Sequence, residues 1–360
     1  MGDAGASRLP LALATLVMVA LNAYVVLGGA DFGAGVWDLL ARGPREARVR
    51  EAIADGIGPI WEANHVWLIF AVVLLFTCFP PVYAHLSITL HIPLTLMLVG
   101  IVLRGSAFTF RAYDATDSPV QRQWGRLFAV SSTVTPVLLG MCVGANVSGA
   151  LAVPADASFT TRFVAPWLSP FTVTIGFLGL AVFAFLAAVY LAVEVRDPEL
   201  QEDFRGMALR AAVAVAALAA LGLLFGRGTL AAVTAALVTR PLTLTFQAIT
   251  ALAAATALWA LWRRRYRVAQ VAAVLQVSGI VWGWAYAQYP ALIPGVHTIQ
   301  SAAAPTVTLR LVAIGVVGGL CFLLPSLWYL FRLFKAETTR LFVRVDTAEH
   351  RASTLPRAER

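Results

Sequence analysis

Apolar residues run along this chain in long blocks, and polar or charged residues are confined to short gaps between them. A helix needs about 20 residues to cross a hydrocarbon layer of roughly 30 Å. Runs of that order fall at 9–28, 60–79, 82–103, 127–147, 170–193, 208–225, 242–262, 268–286 and 307–331. The pattern predicts an all-α polytopic membrane protein with about nine transmembrane helices. Ten-residue segments of strict alternation, the mark of an outer-membrane barrel, do not occur. The stretch 229–239 is too short to span and is stopped by Arg240-Pro241, so it reads as an interfacial or re-entrant turn. No short repeat or Gly/Ser-rich linker divides the chain. One transmembrane domain over 1–334 and a polar cytoplasmic tail over 335–360 follow from the pattern.

Composition sharpens this reading. Hydrophobic residues make up 59% of the 360 and charged residues 13%, where a soluble domain carries about 25% charged. The mean hydropathy is +0.78. A soluble enzyme, a secreted disulfide scaffold and a disordered chain are excluded. The net charge of +8 would point to nucleic acid only if the basic residues gathered on a soluble face, and they sit in short loops instead. With nine spans, 22 of the 27 Lys and Arg fall on one side, counting Arg104 and Arg111 with the loop after the third span. Cytoplasmic segments collect such residues, so the amino terminus is expected outside and the carboxyl tail in the cytoplasm. The tail's arginines are placed to touch anionic membrane lipid. Residues Met1 to Arg8 lack a strongly basic n-region and cleavage site, so the first run reads as a retained helix. Cys78, Cys142 and Cys321 are isolated in apolar segments and read as buried free thiols.

Charged residues inside spans need a reason, since one at mid-membrane costs about 2.5 to 3.5 kcal/mol even on a lenient scale. Asp31 lies in Gly28-Gly29-Ala30-Asp31-Phe32-Gly33-Ala34-Gly35, which continues the first span. Glycines lower helix propensity by nearly 1 kcal/mol each relative to alanine, a cost that close packing against another helix would offset. Asp31 and Asp38, seven apart, share a helical face. Two readings stay open for them: interfacial carboxylates beside the loop arginines, or buried functional groups. The second constellation is Pro59-Ile60-Trp61-Glu62-Ala63-Asn64-His65-Val66-Trp67. Glu62 enters the membrane at a helix start and His65 shares its face, a pairing suited to proton exchange. The competing reading is an acidic helix start favoured by the macrodipole and flanked by interfacial tryptophans. His85 and His91, six apart, do not share a metal-binding face. No metal-ligand cluster, C-x-x-C-H haem motif, Walker A loop, nucleophile elbow or H-E-x-x-H is present in the sequence.

These two blocks, together with Phe79-Pro80-Pro81-Val82-Tyr83-Ala84 and Arg104-Gly105-Ser106-Ala107-Phe108-Thr109-Phe110-Arg111, closely resemble subunit II of the cytochrome bd-type quinol oxidases. Trp282-Gly283-Trp284, Tyr289-Pro290, Ala302-Ala303-Ala304-Pro305 and Leu324-Pro325-Ser326-Leu327-Trp328-Tyr329 extend the resemblance over nearly the whole chain. The resemblance implies two four-helix bundles plus a peripheral helix. It further implies a terminal oxidase that oxidises quinol, reduces O2 to water and generates a proton gradient. Haems b558, b595 and d would belong to the partner, subunit I, leaving this chain without cofactor and inactive alone. A small accessory subunit is a further partner to consider. The second subunit would complete the complex and contribute to the route of cytoplasmic protons, with Glu62, Asp31 and His65 as proton-transfer candidates. Gly29, Gly33, Gly35, Trp61, Asn64, Trp67, Arg104 and Arg111 are its motif and structural positions. Many members carry an acidic residue where this chain has Thr109, which puts a proton route through the third span in doubt. On physics alone, a proton-coupled secondary transporter fits the same intramembrane carboxylates, and a purely structural scaffold is a third reading.

Overall fold

The computed structural model describes residues 3–57, 61–113, 119–154, 156–227, 241–323, 325–326 and 329, without the side chains of 3–7, 57, 61–63, 111–113, 119 and 121. The chain divides into two units, 1–304 and 305–360. In the first, α1 (Asp3–Leu40), α2 (Glu46–Ile57), α3 (Trp61–Cys78), α4 (Pro80–Thr89), α5 (His91–Tyr113) and α6 (Pro119–Val147) precede a short α7 (Phe159–Phe163). Then come α8 (Pro170–Glu194), α9 (Pro198–Gly226), α10 (Pro241–Trp262) and α11 (Tyr266–Gln288). A small antiparallel hairpin, β1 (Ala291–Ile293) and β2 (His297–Thr298), closes the unit. The second unit contributes α12 (Thr306–Leu323), described by itself.

The long helices form two groups of four, α1/α3/α5/α6 and α8/α9/α10/α11, joined where α8 packs against α1 and α6. Among the described residues, eight single helices are long and apolar enough to span, and the bent pair of α3 and α4 makes a ninth when counted as one. The predicted nine spans are recovered on that count. The third was misplaced, however. The apolar run 82–103 is two elements: α4 turns away from α3 by 116°, and a new helix starts at His91. The prolines explain it. Pro80 and Pro81 open α4 after Phe79, whose φ of −135° is not helical, and Pro93 sits in the first turn of α5, where its missing N–H has no partner to lose.

The amphipathic α2 went unread because it is too short to span. Its Val49 and Ile53, four apart, are buried while its charged positions face outward. At the centre of the core, α8 starts with a capping box in which Ser169 and Thr172 exchange hydrogen bonds with each other's backbone. Cys78 and Cys142 are buried free thiols, whereas Cys321 is exposed, against expectation. The stretch 229–239 and the tail 335–360 lie outside the described residues.

Candidate functional site

The first helix does not stop at its glycines. It runs unbroken to Leu40 because those glycines are where other helices press in. A Cβ on Gly33 would lie 1.9 Å from the Phe183 carbonyl oxygen, one on Gly29 2.6 Å from the Phe183 ring, and one on Gly35 2.2 Å from Ser132 Cβ. The segment therefore meets α8 on one side and α6 on another, and Trp37 Nε1 adds a 2.7 Å bond to the Ala184 carbonyl.

That packing seals Asp31, which is 3% exposed. Its Oδ2 accepts a 2.7 Å hydrogen bond from Asn64 Nδ2 on α3. On α5, Arg104 is 1% exposed. Its Nε donates to Ser132 Oγ on α6 at 3.2 Å, and its Nη1 lies 3.4 Å from His65 Nε2. A guanidinium only donates, so this contact requires Nε2 to accept and puts the His65 proton on Nδ1. The guanidinium also lies over Phe32 at 4.7 Å and Phe128 at 5.4 Å, and it interacts electrostatically with Asp31. The His65 ring packs against Tyr24 and Phe32, with centroids 6.0 and 5.9 Å away. Four helices thus assemble a carboxylate, a carboxamide, an imidazole, a hydroxyl and a guanidinium inside an apolar wall.

Of the sequence candidates, Asp31, Asn64, His65 and Arg104 come together, with Gly29, Gly33 and Gly35 making the approach possible. Trp67 is exposed and lies outside the cluster. Glu62 and Trp61 begin α3 and Arg111 is near the end of α5, but their side chains lie outside the described residues. Thr109 is exposed and donates to the Gly105 carbonyl of its own helix at 3.1 Å. Asp38 has the expected arginine beside it, Arg50 Nε at 3.8 Å, and is buried, at 2% exposure.

Sequence reasoning gave Arg104 a loop-side place, because a span starting at 82 ends near it. With α5 starting at His91, the guanidinium is inside the bundle. The other partners it missed, Ser132, Phe128 and Tyr24, carry no signal in sequence beyond being ordinary helix residues.

Among the described residues no group of three or more His, Cys, Asp or Glu could hold a metal ion. His85 Nε2 is bonded to the Leu151 carbonyl at 2.9 Å and its ring meets His297 edge-on at 5.8 Å. His91 Nδ1 is on the Ile88 carbonyl at 2.9 Å.

Comparison with known proteins agrees with this architecture. The structure is similar to the bd oxidase from Geobacillus thermodenitrificans, with a TM-score of 0.75 and 21% identity over 91% of this chain and 98% of that one. In sequence the chain is 32% identical to cytochrome bd ubiquinol oxidase subunit 2 of Bacillus subtilis, over 35% of this chain and 36% of that one. It is 28% identical to cytochrome bd-I ubiquinol oxidase subunit 2 of Escherichia coli K12, over 49% of this chain and 46% of that one. These matches span less than half the length of the curated relatives. The family model for cytochrome bd terminal oxidase subunit II, by contrast, matches residues 9–334, which does not favour the transporter reading. A match over that length, on a fold whose glycine-rich first helix seals a buried Asp31–Arg104 cluster, shows that the chain belongs to the cytochrome bd terminal oxidase subunit II family.

Proposed function

We propose that this chain is the haem-free second subunit of a quinol:O2 oxidoreductase complex in the bacterial plasma membrane. It completes the complex with a subunit I that carries haems b558, b595 and d, and it helps bring cytoplasmic protons toward the oxygen site. Its amino terminus faces the periplasm and its carboxyl tail the cytoplasm. The observation that carries the proton role is the buried Asp31, held by Asn64 and interacting with Arg104, whose guanidinium in turn lies beside His65. An ionisable group sealed in a membrane bundle is expensive, and a proton route is a use that repays it. Glu62, three residues before His65 on α3, is the entrance. Asp31 and His65 shape the path beyond it, and Arg104 and Asn64 compensate the charge of the carboxylate when its proton leaves.

The test separates conduction from assembly in the purified complex. Glu62→Ala should leave haem spectra near normal while slowing quinol-driven oxygen consumption by about tenfold or more. Glu62→Asp should retain more turnover than Glu62→Gln, because only the former keeps a titrating group. Full turnover in Glu62→Ala eliminates the conduction role, and loss of the complex in all three variants points to a scaffold instead.

A further inference from the structure

A groove between α10 and α11 has no part in the cluster described above. Leu252 and Thr256 on α10 and Val268, Val271 and Leu275 on α11 line a trough of about 540 Å³ with Arg267 at its end. On each helix these residues recur at three- and four-residue spacing, so each forms one continuous stripe. Leu252 is 69% and Val271 61% exposed. The trough is open along its outer side.

The chemistry changes abruptly at the arginine end. Four arginines, Arg263, Arg264, Arg265 and Arg267, crowd the turn between the helices. Among the described residues only Arg264 has a carboxylate, Glu202 at 3.1 Å. Arg265 lies over the Trp259 ring at 5.4 Å, and Arg267 has no acidic partner among the described residues. Trp259 and Trp262, 44% and 76% exposed, stand at the same level, as aromatic residues do where a membrane meets water.

An apolar trough that ends at uncompensated guanidiniums is complementary to an acyl chain joined to an anionic phosphate. We propose that this groove binds an anionic phospholipid, with one acyl chain along the α10 and α11 stripes and its phosphate on Arg267. A guanidinium presents a forked donor set suited to phosphate oxygens. A zwitterionic lipid brings its own cation to that end, and a neutral isoprenoid head leaves the arginine charge uncompensated. The site therefore discriminates by headgroup charge.

Native mass spectrometry of the detergent-purified complex, stripped of lipid and titrated with dioleoylphosphatidylglycerol or dioleoylphosphatidylcholine, tests this. The wild type should bind the phosphatidylglycerol more tightly. Arg267→Gln should weaken that lipid by about fivefold, the expected effect of one basic residue at a membrane surface, and leave phosphatidylcholine unchanged. Val271→Trp, which fills the trough from its exposed side, should weaken phosphatidylglycerol binding with the complex still eluting as the wild type does. Equal affinities for the two lipids, or an affinity for phosphatidylglycerol that neither variant changes, overturns the proposal. So does a quinone or a small transmembrane polypeptide crosslinked in the trough through a Val271→Cys probe.

Discussion

At the scale of single residues, two kinds of position should respond in opposite ways to small substitutions. Gly33 touches backbone: the atom that a Cβ would meet, at 1.9 Å, is the Phe183 carbonyl oxygen, which cannot rotate away. Gly33→Ala should destabilise by at least about 3 kcal/mol, the upper range for overpacking, as α1 and α8 are forced apart. Gly206 has open space around its Cβ position, so Gly206→Ala should stabilise α9 by about 0.5 to 1 kcal/mol. Unfolding in mixed micelles with increasing dodecyl sulfate reads both. Arg104 tests the electrostatics of the cluster. Removing one member of a buried charge pair costs about 3 to 5 kcal/mol, so Arg104→Met should destabilise strongly. Adding Asp31→Asn should recover part of that loss, since the uncompensated carboxylate is gone. Strict additivity of the two substitutions in this double-mutant cycle would show that the charges are not coupled. Asp31, Asn64 and His65 were legible in the sequence because polar groups in apolar runs are conspicuous. Ser132 and Phe128 were not, because a hydroxyl or a ring in a helix gives no hint of which distant guanidinium it meets.

At the scale of elements, apolar length predicted the spans well and their ends poorly. The boundary at Leu90 was invisible because α4 and α5 are both apolar, so hydropathy does not change where the chain turns. The helix α2 was hidden for the opposite reason, being too polar to register as a span. Ion pairs fasten it. Arg45 holds Asp203 through two bonds of 2.6 and 2.7 Å, and Arg48 meets Asp197 and, at 3.1 Å, Glu199. Asp197 also caps α9 by accepting from the Glu199 N–H at 2.9 Å. That backbone bond, more than Arg48, holds its carboxyl below the usual Asp range, while desolvation opposes the shift. The hydrogen bond and charge of Asp203 in turn raise the Arg45 guanidinium. A depressed carboxyl contributes stability that is complete above its unfolded value of about 3.9 and is lost as pH falls through the lower folded value. A nitroxide on Glu51→Cys should therefore stay immobile at neutral pH and become mobile below about pH 4. Molar salt should loosen it as well, because these pairs are exposed and screened. Asp197→Asn should raise its mobility at neutral pH and shrink the acid transition. A label whose motion ignores both pH and Asp197→Asn would mean that α2 is held by Val49 and Ile53 alone.

At the scale of the molecule, the connecting segments sort into two sets that bond only among themselves in the contacts described here. In one set, 41–57 reaches 195–203 through Arg45 and Arg48, and Glu202 reaches Arg264 in the turn 263–265. In the other, His85 binds the Leu151 carbonyl, Asn146 donates to Leu292 at 3.2 Å, and the Ala304 N–H donates to the Cys78 carbonyl at 2.8 Å. Eight successive crossings within the first unit require this partition, and the described bonds agree with it. The sets also differ in charge. The stretches 79–90, 146–151 and 291–304 contain no Lys or Arg, whereas 41–57 and 263–265 contain seven arginines between them. Moving Arg104 from the loop tally into the bundle leaves this contrast intact. Basic segments are retained on the cytoplasmic side, so the first set should face the cytoplasm. In a chain whose three cysteines are replaced by alanine, Val296→Cys should react with a membrane-impermeant maleimide in intact cells. Glu51→Cys should react only once the membrane is permeabilised. The reverse pattern would invert the proposed orientation and put the α3 entrance on the wrong side for cytoplasmic protons. Labelling of both sites in intact cells would contradict the nine-span partition itself.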